Sequence, residues 1–228
     1  MEDKENIIIS LGGSIVVPDD PDFSFIIQFK ELVLKWVSLG KRFFIIVGGG
    51  KTCRNYNEAL KKVINPSTED LDWLGIYATR LNAELVLLSF EGVTPSQIVT
   101  DPSVIHNLKE DVIIGAGWKP GCSTDYDAVL VAEQLNSKKI INLSNVDYVY
   151  ESDPGVNPNA KKFENLSWKE YRSFISSEWG AGMSTPFDPI ASKKADEMGI
   201  ELAFINGHDL ESLENYLEGK PFKGTIIK

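Results

Sequence analysis

The 228-residue sequence holds two cysteines and two histidines, and no apolar run reaches the roughly 20 residues that cross a bilayer. Cys53 and Cys122 lie far apart and outside any CxxC pair, with only His106 and His208 as further soft ligands, so neither a disulfide framework nor a zinc site is expected. No leader with a basic start, an apolar stretch and a cleavage site is present, which makes the cytoplasm, a reducing compartment, the expected location. Basic residues are also scarce. Lys and Arg number 23 against 33 Asp and Glu, a net charge of −10. That balance argues against a nucleic-acid groove, which draws on clustered cations that release counterions. A small phosphorylated ligand stays open, because backbone amides and one or two cations are enough to hold it. Internal repeats and low-complexity tracts are absent as well.

What is present is the composition of a soluble globular protein, 43% hydrophobic and 25% charged. The length predicts one large domain over residues 1–228. Asn6 to Leu11 (NIIISL) reads as a buried strand feeding Gly12-Gly13-Ser14, and Phe43 to Val47 (FFIIV) as another feeding Gly48-Gly49-Gly50. Between them Phe25, Ile26, Phe29, Leu32, Val33, Trp36 and Val37 recur at helical spacing, and Gly40 marks the helix end. Helices are predicted near Thr52 to Ile64 and from about Glu69, then strands at Ala83 to Ser89, Asp111 to Ile114 and Lys139 to Leu143. The last two flank a helix beginning near Thr124. Residues 151–162 (ESDPGVNPNAKK) read as a loop or loosely paired hairpin. Ser167 with Glu170 resembles a capping box opening a helix to about Ser176. A glycine-bearing loop follows, then a helix from Pro189 to Met198, a strand at Glu201 to Ile205, a short helix and a terminal strand at Thr225 to Ile227. Strands alternating with helices imply a mostly parallel sheet covered on both faces, with ligands at the carboxyl ends of its strands.

The run VGGGKT looks like a P-loop but is not one, because Ile45 stands where the first glycine belongs. A dinucleotide fingerprint fails too, since Cys53 occupies the place of its third glycine. There remains a strand that ends in three glycines at a helix start, with Lys51 and Arg54 in the first turn. Bare backbone lets an anion reach amide N–H groups at the positive end of a helix, and a guanidinium can grip phosphate oxygens as a fork. A tight turn that uses glycine for sterics alone, with Lys51 and Arg54 solvated, competes with that reading of the segment. The second glycine turn, Gly12-Gly13-Ser14, shifts the balance toward a shared phosphate trough. In GAGWKPGCSTDYDAV, residues 115–129, Ser123, Thr124 and Asp125 are all favoured N-cap residues, so an ordinary capped loop competes there with a ligand loop.

Seven segments, GGSIVVP (12–18), VGGGKTCRNY (47–56), DWLGIYATRLNA (72–83), GWKPGCSTD (117–125), SNVDYVYESDP (144–154), FDPIASK (187–193) and GTII (224–227), resemble in order those of the archaeal-type uridylate kinases of the amino acid kinase family. The resemblance implies a three-layer α/β (αβα) sandwich with a mostly parallel central sheet. Its N-terminal, acceptor-binding lobe would span about 1–135 and its C-terminal, ATP-binding lobe about 136–228. The implied reaction moves the γ-phosphoryl of Mg-ATP to UMP, giving UDP and ADP for pyrimidine biosynthesis. Gly49, Asp72, Trp118, Lys119, Pro120, Gly121, Cys122, Ser123 and Thr124 match UMP positions. Gly13, Ser14, Gly50, Arg54, Ser144, Asn145, Tyr150 and Asp153 match ATP positions. Lys51 and Arg54 would supply the catalytic cations. Asp125 would cap helix amides and organise donors rather than accept a proton. Mg²⁺ would come with ATP, with no metal site built by the protein. A homohexamer and competition by UTP at the UMP site also follow from the resemblance.

The chain departs from the family pattern in several places. It lacks a lysine in Ser10-Leu11-Gly12-Gly13, carries Tyr148 where glycine is usual, and carries Asp127 where a small or aliphatic residue is usual. Trp118, Lys119 and Cys122 alter the acceptor loop, and Asp127, two residues into its helix, is expected to point away from that loop. Acceptor identity therefore has rivals: a sibling kinase acting on isopentenyl phosphate or acetylglutamate, or a non-catalytic nucleotide-binding or storage protein. Trp73, Trp118 and Trp179 read as core or interface residues, and neither histidine is assigned a catalytic role.

Overall fold

The computed structural model describes residues 4–175 and 185–228; Trp179 and the side chain of His106 lie outside the described residues. The chain opens with β1 (Glu5–Leu11), a one-turn helix α1 (Gly13–Val16), α2 (Phe23–Ser38), β2 (Lys41–Val47) and α3 (Gly50–Val63). Next come α4 (Thr68–Ser89), a 3₁₀ turn at Pro102–Asn107, β3 (Val112–Gly115), α5 (Thr124–Gln134) and β4 (Lys139–Ser144). A small antiparallel hairpin pairs β5 (Val149–Tyr150) with β6 (Lys162–Phe163) across the predicted loop. Then follow β7 (Asn165–Leu166), α6 (Trp168–Phe174), α7 (Pro189–Glu197), β8 (Glu201–Asn206), α8 (Leu210–Leu217) and β9 (Thr225–Ile227).

Among the described residues seven strands form one sheet, in the order β3-β2-β1-β4-β8-β9-β7, parallel except where β9 runs against β8. Its strands are apolar without alternation because both faces are covered. Along β2, Phe43, Ile45 and Val47 pack on the side of α2 and α4, while Phe44 and Ile46 pack on the side of α5 and α7. Each such side chain is almost fully buried, which stabilises the fold by about 1.5–3 kcal/mol apiece. The result is the expected αβα sandwich.

Helix ends follow the local chemistry. The Asp22 carboxylate caps α2 by accepting from Phe25 N, and Gly40, at φ +86°, turns the chain out of that helix into β2. Ser167 and Glu170 form the predicted capping box of α6, and Ser67 with Asp70 forms another at α4.

The strand expected at Ala83 to Ser89 does not form; those residues are the last two turns of α4. Their burial repeats every three to four residues, with Ala83, Val86, Leu87 and Phe90 inside and Glu84, Leu85 and Leu88 outside. The short apolar run AELVLLS fits either period, and the capping box 16 residues upstream had already committed the segment to a helix.

The chain passes from β1 outward to β2 and β3 and then returns to β4 on the other side of β1. The switch point of the sheet therefore lies between β1 and β4. There the carboxyl ends of the strands open a crevice between diverging connections.

Candidate active site

Two glycine turns meet at this switch point. Gly12 N donates to Leu143 O of β4, and Gly48 N donates to Leu11 O of β1, which ties the strand ends together. Gly13 sits so close to the second turn that a Cβ there would stand 2.3 Å from both Gly48 O and Gly50 N. Gly50 has φ +55°, and its own Cβ would lie 2.3 Å from the Gly13 carbonyl carbon. Backbone is packed on backbone, as only glycine permits.

Helix α3 starts from the second turn with Gly49 as N-cap and no side chain capping it. Among the described residues no side chain accepts from its first amides, which stand at the positive end of a 14-residue helix. Asn82 holds the turn from below, its amide donating to Gly48 O at 2.9 Å and Gly49 O at 3.1 Å. Sequence reasoning did not single out Asn82, although it lies in the quoted TRLNA segment.

Three connected hollows run through the switch point. The first, about 220 Å³, includes Gly49, Arg54, Asp72, Cys122, Ser123 and Thr124 in its wall. The second, about 320 Å³, includes Gly13, Ser14, Gly50, Arg54, Ser144 and Asn145. The third, about 470 Å³, includes Ser144, Asn145, Tyr148, Tyr150 and Asp153. Arg54, Gly49, Gly50, Thr124 and Asp125 border the first and second, while Ser144, Asn145 and Thr185 border the second and third. The outcome is a single trough with Arg54 at its middle, where its guanidinium donates to Ser14 Oγ at 3.2 Å.

The two cations predicted for the phosphates part company. Lys51 forms an ion pair with Asp19 and is absent from the walls of the trough, whereas Arg54 lines two of the hollows. Trp118, Lys119, Pro120 and Gly121 form the outer part of their loop, not the cavity wall. The Lys119 ammonium lies 3.8 Å from the centre of the Trp118 ring.

Asp125 is half-buried in the wall of the trough and does not cap its own helix; Ser123 does, accepting from Tyr126 N. Instead its carboxylate accepts from Ser10 Oγ at 2.7 Å, Asn142 Nδ2 at 3.1 Å and Asp188 N at 3.0 Å, joining β1, β4 and the start of α7. Burial, opposed by these bonds, pushes its pKa up to about 6. Ser10, Asn142 and Asp188 were not anticipated, because their partner is distant in sequence and neither periodicity nor spacing signals it.

The expectation for Asp127 is overturned. Its side chain turns under the loop, 1% exposed, and accepts from Trp118 N at 3.2 Å. The reason is geometric: the loop 115–123 folds back over the first turns of α5, so the amide of Trp118 comes to rest above position 127. Burial pushes this carboxyl up to about 7, with Asp125 adding to the effect. Asp72, a predicted acceptor residue on α4, likewise accepts from Gly121 N at 2.9 Å, and desolvation raises its pKa. Cys53 and Cys122 line the first hollow as free thiols, both raised by burial. His208 is exposed against the Phe25 ring, outside the walls of all three hollows.

These shifts have a sign. Between about pH 4 and pH 7 the folded chain keeps protons on Asp125 and Asp127 that the unfolded chain releases, so rising pH lowers stability by up to about 1.4 kcal/mol per pH unit for each group. Carboxylates held below their usual range, such as Asp70, Asp147 and Glu170, act only in more acid solution. Thermal melts should therefore place Tm higher at pH 5 than at pH 7.5, by about 5 °C or more. Asp127→Asn should flatten that difference; a wild-type Tm that rises steadily from pH 5 to pH 7.5 would refute the assignment.

Among the described residues no helix is long and apolar enough to cross a membrane, and no three His, Cys, Asp or Glu side chains cluster to hold a metal ion. Residues 5–206 match the family model described as the amino acid kinase family. Similar proteins include a uridylate kinase of Pyrococcus abyssi, 36% identical over 226 residues, covering 97% of this chain and 99% of that protein. A uridylate kinase of Thermoplasma volcanium is 34% identical over 228 residues, covering 99% of this chain and 98% of that one. Among solved structures, a uridylate kinase from Archaeoglobus fulgidus superposes with a TM-score of 0.79 at 27% identity, over 99% of this chain and 100% of that one.

Proposed function

The chain belongs to the amino acid kinase family, and from that premise we propose that it transfers the γ-phosphoryl group of Mg-ATP to UMP, giving UDP and ADP. The observation that carries this reading is the single trough whose halves meet at Arg54 and the interlocked glycine turns. UMP fits the hollow walled by Asp72 and residues 122–124, and ATP the hollows walled by Gly13, Ser14, Ser144, Asn145, Tyr150 and Asp153. Their phosphates would then meet over the first amides of α3. The full-length likeness to proteins named uridylate kinase supports UMP over the other acceptors.

The chemistry asks for alignment and charge neutralisation. The attacking UMP phosphate oxygen is already ionised, so no general base is needed. Helix amides and Arg54 supply preorganised donors where negative charge crowds in the transition state. Asp125 is suited to fixing β1, β4 and α7 around the phosphates, since all three of its bonds are accepted from protein groups. Mg²⁺, when bound with ATP, would supply neutralisation of the phosphate charge. The carboxylates that line the trough, Asp72, Asp125, Asp153 and Asp188 among them, form no cluster of three among the described residues, which suits a metal carried mainly by phosphate and water oxygens. Free thiols in the trough suit a reducing cytoplasm, and UTP, sharing the uridine of UMP, would compete at the acceptor hollow.

The decisive experiment is coupled ADP release with Mg-ATP against UMP, CMP, dUMP, isopentenyl phosphate and acetylglutamate. Turnover with UMP above the others is expected. Turnover with a different acceptor sinks the reading, and nucleotide binding without turnover on any acceptor replaces it with a non-catalytic role.

We also assign the chain a homo-oligomeric state, with a hexamer as the form implied by its kin. Helix α4 presents Tyr77, Leu81 and Leu88 to solvent, 61%, 64% and 67% exposed, in a row with Trp73 at spacings of four and seven residues. Such a row on the outer face of a long helix is a surface that a second copy would cover. Leu81→Asp should lower the mass measured by light scattering to that of a smaller species. An unchanged mass would remove α4 from the interface.

A further inference from the structure

The acceptor loop is fastened by four side chains. Gly117 N donates to Thr79 Oγ1 at 2.9 Å, Trp118 N to Asp127 Oδ2 at 3.2 Å and Gly121 N to Asp72 Oδ2 at 2.9 Å, while Arg80 donates to the carbonyls of Gly117 and Trp118. Thr79, Arg80 and Asp72 all stand on α4; Asp127 is the one that stands on α5, the helix the loop feeds. Without it the middle of the loop would hang from α4 alone.

Asp127 also departs from what packing would select. It is 1% exposed, so it cannot touch a nucleotide, and its Oδ1 is buried without a partner among the described residues. A buried carboxyl with half of its capacity unmet is costly, and an aliphatic side chain of similar size would avoid that cost. What the carboxyl provides in return is the bond to Trp118.

We propose that Asp127 is a positioning residue that anchors the loop 117–123 to α5 and so sets the affinity for the acceptor. The role in affinity rests on the reading of the first hollow as the acceptor site; the anchoring itself does not. The group acts through Trp118, placing Cys122 and Ser123 in the wall of the first hollow and Thr124 where the first hollow meets the second.

The test compares full-length wild type with Asp127→Val, which fills the space without an acceptor, and Asp127→Asn, which keeps an oxygen for the Trp118 amide. Asp127→Val should raise KM for UMP about tenfold, the size of one net hydrogen bond, and leave kcat and KM for ATP within about twofold. Asp127→Asn should restore KM for UMP to within about threefold of wild type. Independently of any substrate, peptide-resolved iodoacetamide labelling should modify Cys122 faster in Asp127→Val, with Cys53 on α3 unchanged. Asp127→Ala gives the same comparison should the β-branched side chain hinder folding. A folded Val or Ala variant with wild-type KM for UMP and wild-type Cys122 labelling overturns the proposal. So does a parallel rise in both KM values with a fall in kcat, which a general loss of structure would produce. If wild type fails to phosphorylate UMP, the proposed function falls, while the Cys122 labelling still decides whether Asp127 anchors the loop.

Discussion

Arg54→Ala should lower kcat for UMP phosphorylation by about 10²–10³-fold, the usual result of deleting one preorganised donor to developing negative charge. Arg54 lines both the first and the second hollow, whereas Lys51, the neighbouring cation, pairs with Asp19 outside their walls. Little else can replace it. Because its side chain is exposed and, among the described residues, bonds only Ser14 Oγ, the substitution should leave folding within about 0.5 kcal/mol of wild type. Arg54→Lys should recover only part of the rate, since an ammonium keeps the charge without the planar fork. The measurement is coupled ADP release at saturating UMP and ATP. A loss smaller than tenfold would move the catalytic charge elsewhere, with Lys51 released from Asp19 as the first place to look.

Gly13→Ala should be at least as damaging, and through geometry rather than charge. The added methyl would stand 2.3 Å from Gly48 O and Gly50 N, both backbone atoms with no flexible side chain to yield. Either the first turn or the second must move by about an ångström, and displacements of that size at reacting groups cost on the order of 10²-fold in rate. Stability should fall too, by about 1–3 kcal/mol, as in overpacked sites. Gly40→Ala provides the contrast. Its φ of +86° makes any side chain there strained, but open space surrounds it and it lies far from the trough. A loss of stability with full activity is expected for Gly40→Ala, and a loss of both for Gly13→Ala. Full activity in Gly13→Ala would mean that the two turns do not need to interlock.

Much of the molecule was legible before any coordinates. The short, β-branched apolar runs of β1, β2 and β4, bounded by turn residues, read as strands covered on both faces, and the glycines after β1 and β2 mark close backbone approach or a turn. The capping box at Ser167 and the terminal strand at Thr225 followed from local rules that tertiary contacts did not override. The failures were of two kinds. Ala83 to Ser89 is a short apolar run whose period is ambiguous, and its fate depended on the cap at Ser67, far upstream. Asp127 was misjudged because helix spacing tells which way a side chain leaves its own helix, but not that a loop will fold back across that direction.

Sequence by itself determined the class of sheet, the places where anions can approach backbone, and the kinship of the chain, because each of these rests on local residue type or on ordered motifs. Tertiary structure alone decided that Arg54 and not Lys51 lines the trough, that Asp125 joins β1, β4 and α7 instead of capping α5, and that Asp127 accepts from the Trp118 amide. Those outcomes turn on which distant groups become neighbours once the strands are paired. Ser10 and Asp125 are 115 residues apart, and only the packing of α5 against β1 brings their oxygens to 2.7 Å.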